Sequence, residues 1–204
     1  NRRGLQNDRL LDAFLKVPRH RFVPAGMEAF AYNDEPLMID CGQTISQPYI
    51  VALMTSLLNL RGGEVVLEIG TGSGYQSAIL AQLARFVHTV EYHPRLAEQA
   101  KNVLSALACY NVEVHVGDGS MGWPEGGPYN GIVITAAAPE APVVILNQLA
   151  EGGKMVLPVG SRQYQELQLW ERFGDNFSHE SILAVSFVPL RGKFGWNEDQ
   201  WPSV

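Results

Sequence analysis

From residue 64 onward, apolar positions fall into two kinds of block. The runs VVLEIG, FVHTVEY, VEVHVGD, GIVITAAA and GKMVLPVG are dense in valine, isoleucine and leucine, as strands buried on both faces are. Between them, YQSAILAQLA, RLAEQAKNVLSALA and APVVILNQLA have the length and composition of helices. Buried strands joined by helices make βαβ units, hence a parallel sheet covered on both faces through right-handed crossovers. After Gly160 the pattern changes to ELQLWERF, a Gly174-Asp175-Asn176 turn and ILAVSFVPL, which predicts an antiparallel hairpin at one sheet edge. The expected class is α/β: a doubly wound, mostly parallel sheet of about seven strands with an antiparallel edge hairpin.

Residues 1–60 read differently, as a helical and loop extension in front of that sheet. Leu10, Leu11, Phe14 and Leu15 form an apolar stripe at helical spacing, with Asp8 as the expected cap and Val17-Pro18 as the stop. Residues 17–36 hold three prolines and little periodicity, which predicts a long wrapping loop. Residues 49–60 regain a helical stripe through Ile50, Leu53, Met54, Leu57 and Leu58, stopped by Gly62-Gly63. The expected organisation is one domain over 1–204: the extension at 1–60, a core at 61–160, and the hairpin and tail at 161–204.

Composition narrows the setting. With 204 residues and 46% hydrophobic content the chain has enough apolar mass for a sizeable core. The longest apolar run, 49–58, is broken by Thr55 and Ser56 and is too short to span a bilayer, and no apolar h-region follows the N-terminal arginines, so no membrane association is expected. Cys41 and Cys109 are too few for a disulfide framework, which suits a reducing cytoplasm; Cys41 is expected to be a small buried or half-buried residue. The net charge of −6, with scattered basic residues, argues against a nucleic-acid partner. His20, His88, His93, His115 and His179 form no HxH or HExxH spacing, so no metal site is expected.

The candidate chemistry begins at Glu68-Ile69-Gly70-Thr71-Gly72-Ser73-Gly74-Tyr75, a glycine loop between the first core strand and a helix. Glycines belong where the backbone turns sharply and a ligand touches it, so Gly70, Thr71, Gly72 and Gly74 are candidate cofactor contacts. NAD sites favour G-x-G-x-x-G around a pyrophosphate, whereas the spacing here is G-x-G-x-G with a carboxylate, Glu68, just ahead. A carboxylate repels a pyrophosphate but suits S-adenosylmethionine, which carries an ammonium, a sulfonium and no phosphate. Glu91, followed by Tyr92, ends the second core strand, where such folds place an acid against the ribose hydroxyls. Asp118-Gly119 follows the third strand, within reach of an adenine amino group. The plainer alternative makes Glu91 and Asp118 ordinary loop acids.

VLEIGTGSGY, VEYHP and GDG resemble class I S-adenosylmethionine-dependent methyltransferases, a Rossmann-like fold. More narrowly, VPRHRFVP, AYNDEPLMIDCGQTISQPYIVALM, VLEIGTGSGYQSAILAQL and FVPLRGKFGW resemble the protein-L-isoaspartate O-methyltransferase family, in that family's order. The resemblance implies methylation of the free carboxylate of L-isoaspartyl residues in aged proteins and peptides; the ester then collapses to a succinimide that can reopen to aspartate. It implies S-adenosyl-L-methionine as donor, S-adenosyl-L-homocysteine as product, and a monomer acting on proteins or peptides. It makes Ser46 the active-site serine that orients the substrate carboxylate, with an N-cap for the following helix as the alternative. Thr44 is then a donor-pocket residue, Gln43 and Ile45 substrate-side residues, and Glu68 is expected to face the donor's amino group, directly or through water, or the substrate. Val188 and Leu190, around Pro189, are implied to offer main-chain groups to the peptide. Met38 and Asp40-Cys41 stand where the family usually has proline and glycine, so the substrate rim is expected to differ. A same-fold methyltransferase acting on a dedicated small-molecule or modified-peptide carboxylate is the competing function.

Overall fold

The computed structural model describes residues 7–201. In chain order its helices and strands are α1 (Asp8–Lys16), β1 (Leu37–Met38), β2 (Thr44–Ile45), α2 (Pro48–Leu57), β3 (Val65–Ile69), α3 (Tyr75–Ala81), β4 (Phe86–Glu91), α4 (Pro94–Ala106), β5 (Val112–Val116), β6 (Tyr129–Ile134), α5 (Val143–Leu146), β7 (Leu149–Gly160), β8 (Gln165–Phe173) and β9 (Asn176–Val185). Seven strands form one sheet in the order β5-β4-β3-β6-β7-β8-β9. The first five pair in parallel, and β8 and β9 add antiparallel. β1 and β2 make a separate antiparallel pair. The chain steps outward from β3 to β5 and resumes on the other side of β3 with β6, which leaves a crevice at the carboxyl ends of the central strands.

Alternation along the strands divides the core. Val66, Val87, Val133, Val156 and Leu167 face the side packed by α1, α2, α3 and α4. Leu67, Ile69, Val90, Ile132, Ile134, Met155 and Leu157 face the other side, where α5 contributes Ile145 and Leu146. The two faces are covered unequally. The helix expected over 141–150 is a single turn, because Pro142 and three successive β-branched residues weaken it and Leu149 is taken into β7 opposite Tyr129.

Other differences are local. Asn7, not Asp8, caps α1: its Oδ1 accepts Leu10 N–H at 3.1 Å. The loop over 17–36 contains two short 3₁₀ turns, Arg19–Phe22 and Glu28–Phe30. α2 stops at Leu57, ahead of Asn59 in the left-handed conformation (φ 52°) and before Gly62-Gly63. β9 ends at Val185, whereas the expected hairpin ran to Leu190. Beyond it, the side chain of Gln165 stands in for a strand, accepting Phe187 N–H at 2.7 Å and donating to Phe187 O at 3.1 Å. Val188 to Leu190 then crosses to Ala137, which donates to Val188 O and accepts from Leu190 N, both at 2.8 Å.

Candidate active site

The carboxyl ends of β3, β4 and β6 open on one cleft, bordered by Gln43, Thr44, Gly70, Gly72, Glu91, Tyr92 and Gly119. Gly70, Gly72 and Gly74 all have positive φ, at 92°, 53° and 87°, a conformation costly for residues with a Cβ. A Cβ at Gly70 would collide with Thr135 Oγ1, which donates to Gly70 O at 2.6 Å and lies 3.1 Å from Ile69 O. Thr71 is buried, its hydroxyl 2.6 Å from that of Thr89, which fastens the loop to β4.

Glu91 closes this arrangement. Its side chain is 4% exposed; Oε2 accepts Gly72 N–H at 2.8 Å and Oε1 accepts His93 N–H at 2.9 Å. An ionised carboxylate has about four acceptor positions, so two remain for a diol at the cleft wall. Asp118 is committed elsewhere as well: Oδ1 accepts Ser120 N–H at 2.9 Å and Ser120 Oγ–H at 2.6 Å, and Oδ2 accepts Lys193 N–H at 2.8 Å. Ser120 Oγ accepts Phe194 N–H at 2.9 Å, so the segment 118–120 is clasped by the C-terminal tail. Gly119 takes the closest approach to the strand, since a Cβ there would lie 2.6 Å from Ile69 Cγ2.

Glu68, expected to face the donor's amino group directly or through water, or the substrate, lies beneath the glycine loop and is not among the residues that line the cleft. It shares the Val66 side of β3, is fully buried, and Oε2 accepts a short hydrogen bond from Ser77 Oγ while Oε1 has no partner. Burial raises its pKa to about 8, against weaker opposing hydrogen bonds from Ser77 and Thr89, so its carboxyl is largely protonated at neutral pH.

The 36–50 segment forms the opposite wall. Thr44 borders both the cleft and a second, wider groove of about 520 Å³. That groove runs between Thr44, Ser46, Tyr49 and Ile50 on one side and residues 183–187 at the end of β9 on the other. Ser46 lines the groove and also a recess beside Gly70, Thr71 and Thr135, so it stands where groove and glycine loop meet. The N-cap position of α2 is Gln47, with no side-chain cap bond, which removes the capping alternative for Ser46. Ile45 is buried at 3% exposure and pairs with Leu37, while Gln43 Nε2 donates to Cys41 O at 3.1 Å. Cys41 is exposed and left-handed (φ 58°), not half-buried as expected. Asp40 anchors the turn to α4: Gln99 Nε2 donates to its Oδ2 at 2.7 Å and Arg95 pairs with it at 2.9 Å.

Val188 and Leu190 line the cleft, but Ala137 takes up Val188 O and Leu190 N, and Trp196 N–H donates to Leu190 O at 2.8 Å. The sequence reading missed Thr135, His93 and Arg191, which also border the cleft. Arg191 braces the tail, donating to Trp201 O at 2.6 Å and Trp196 O at 3.2 Å. Thr135 was findable as the first polar residue after a buried strand; Arg191 was not, because its place depends on how the tail folds back.

Comparison with known proteins decides what this cleft belongs to. Residues 1–195 match the family model described as Protein-L-isoaspartate(D-aspartate) O-methyltransferase (PCMT). The chain belongs to this family. A protein-L-isoaspartate O-methyltransferase of Dictyoglomus thermophilum is 51% identical over 195 residues, covering 96% of this chain and 89% of that protein. One from Trichlorobacter lovleyi is 52% identical, covering 95% and 90%. A solved protein-L-isoaspartate O-methyltransferase superposes with a TM-score of 0.86 at 31% identity, over 93% of this chain and 63% of that one. A beta-aspartate methyltransferase (PCMT) from Plasmodium falciparum, solved in complex with S-adenosyl-L-homocysteine, shares the fold with a TM-score of 0.81 at 24% identity. As a PCMT-family protein the chain is an S-adenosylmethionine-dependent O-methyltransferase with a Rossmann-like fold.

Proposed function

We propose that this protein transfers a methyl group from S-adenosylmethionine to the free carboxylate of L-isoaspartyl residues in damaged proteins and peptides, the first step of their repair. Bound S-adenosylmethionine supplies an electrophilic methyl on a cationic sulfur. The residues present suit that molecule: a glycine, Gly70, where a Cβ would strike Thr135 Oγ1, and a fixed carboxylate, Glu91, with spare acceptor positions. In this reading Gly70, Thr71, Gly72, Gly74 and Thr44 shape the donor site, Glu91 accepts from the ribose hydroxyls beside Tyr92, and Asp118 and Gly119 border the adenine. Glu68 acts from below, through the loop or through water, rather than by direct contact.

An acceptor carboxylate is already ionised at neutral pH, so no base has to generate the nucleophile. The reaction joins an anion to a cation, and what the protein contributes is alignment at contact distance and exclusion of water. Ser46 holds the acceptor carboxylate by hydrogen bond where the groove reaches the glycine loop. Gln43 and Ile45 support that loop. Val188 and Leu190 contribute a wall, while the outer edge of β9 gives the groove a strand-like border suited to an extended peptide.

The observation that carries the reading is the meeting of a peptide-sized groove and a glycine-loop cleft at Thr44 and Ser46. The net charge of −6 favours protein over nucleic acid as acceptor. No helix among the described residues is long and apolar enough to cross a membrane. The test is transfer of labelled methyl to isoaspartyl peptides with unrelated flanking sequences. Reaction with all of them is expected, since main-chain pairing does not read side chains; reaction with a single sequence would favour a dedicated substrate.

A further inference from the structure

A side-chain cluster outside the methyl-transfer site lies on the sparsely covered face of the sheet. His88 on β4 neighbours Glu113 on β5, and His115 lies two residues further along β5, so all three side chains leave the sheet on one side. His88 Nδ1 is 3.1 Å from His115 Nε2 and 3.5 Å from Glu113 Oε2, and His115 Nε2 is 3.8 Å from Glu113 Oε2. Zinc bonds of about 2.0–2.2 Å at tetrahedral angles put ligand atoms roughly 3.3–3.6 Å apart, a range that the three separations straddle, so small shifts would close them on a zinc ion, which would displace the proton that His88 and His115 share in their hydrogen bond.

We propose that His88, Glu113 and His115 form a binding site for a zinc-class divalent cation, with solvent at the fourth position. The rings are held in place before any ion arrives: Trp123 stacks on His115 at 3.9 Å between centroids, and Tyr129 meets His88 edge-on at 6.0 Å. The histidine side chains are 14% and 12% exposed and Glu113 is 56% exposed, which leaves an entry path on the carboxylate side. Two imidazole nitrogens and one carboxylate suit zinc; magnesium and calcium prefer oxygen donors throughout. Glu-x-His on one strand with a histidine on its neighbour is invisible to a search for HxH or HExxH, because strand pairing supplies the third ligand. A bound ion would link β4 to the edge strand β5 and to the segment leading to Asp118 and Gly119, a stabilising role apart from catalysis.

The experiment is calorimetric titration of the chelator-treated full chain with zinc chloride, with magnesium chloride alongside and melting temperature followed in parallel. The expected result is saturable binding of one zinc per chain, a higher melting temperature with zinc, and no response to magnesium. Glu113→Gln, at a half-exposed position that the fold does not depend on, is expected to weaken zinc binding roughly tenfold or more. His115→Ala is expected to abolish it, and His179→Ala, whose ring stacks on Trp170 elsewhere, to leave it unchanged. Absence of saturable zinc binding by the wild-type chain, or wild-type affinity in both Glu113→Gln and His115→Ala, overturns the proposal. Neither result bears on methyl transfer.

Discussion

The two walls of the cleft are held together by different means. The donor wall is backbone at the ends of buried parallel strands: Gly70 is pressed against Thr135, Gly72 is tied to Glu91, and the main-chain amide of Gly70 donates to Val90 O at 2.9 Å. The acceptor wall is two added segments, 36–50 and 183–191, outside the parallel strands, where short main-chain pairings are supplemented by side-chain ties such as Asp40 to Arg95 and Gln165 to Phe187. Cofactor geometry is thus a consequence of the sheet itself, while acceptor geometry depends on segments outside its parallel part. Substitutions in the first wall should therefore cost donor binding, and those in the second should spare it.

The largest effect is expected from Gly70→Val. The new Cβ meets Thr135 in a left-handed backbone position, and calorimetry with S-adenosylhomocysteine should detect no binding. Glu91→Ala removes acceptors for two backbone amides as well as for the ribose. At ~1.5–3 kcal/mol for a hydrogen bond to a charged group, donor affinity should fall about tenfold to a hundredfold; wild-type affinity would remove Glu91 from the donor wall. Ser46→Ala probes the other wall and should lower turnover about tenfold, one hydrogen bond's worth, with unchanged KM for the donor; a raised donor KM at normal turnover would blur the distinction between walls.

Glu68 yields a prediction in stability. Its folded pKa of about 8 lies above the ordinary 4.5, so the folded chain keeps a proton that the unfolded chain releases. The associated stability is complete below about pH 4.5 and declines as pH rises toward about 8. Denaturant titrations from mildly acidic to mildly alkaline pH should show this decline in the wild type and lose that component in Glu68→Gln. The smallest effect is expected at Asp40→Ala: its partners are solvent-exposed, water and salt screen such a pair, and only the KM for peptide should rise slightly.

The parallel strands and the glycine loop were legible because burial on both faces and sharp turns restrict residue type directly. The hairpin was legible from the Gly174 turn, but its end was not, since a glutamine side chain replaces a strand partner at Phe187. The burial of Glu68 is legible from strand alternation, which puts it with Val66 under α3, while charge logic alone points it toward a ligand. Asp118 follows β5 as the order of the elements requires, but its tie to Lys193 spans the chain and leaves no local pattern. Thr44 and Ser46 were placed by family resemblance, because a hydroxyl in a proline-bounded loop carries little information until the groove beside it is seen.

The most direct measurement is transfer of labelled methyl from S-adenosylmethionine to an isoaspartyl peptide, beside the same peptide carrying ordinary aspartate. Base-labile label on the isoaspartyl peptide alone is the expected result. Equal labelling of both peptides, or none on either while S-adenosylhomocysteine binds normally, would contradict the proposed acceptor.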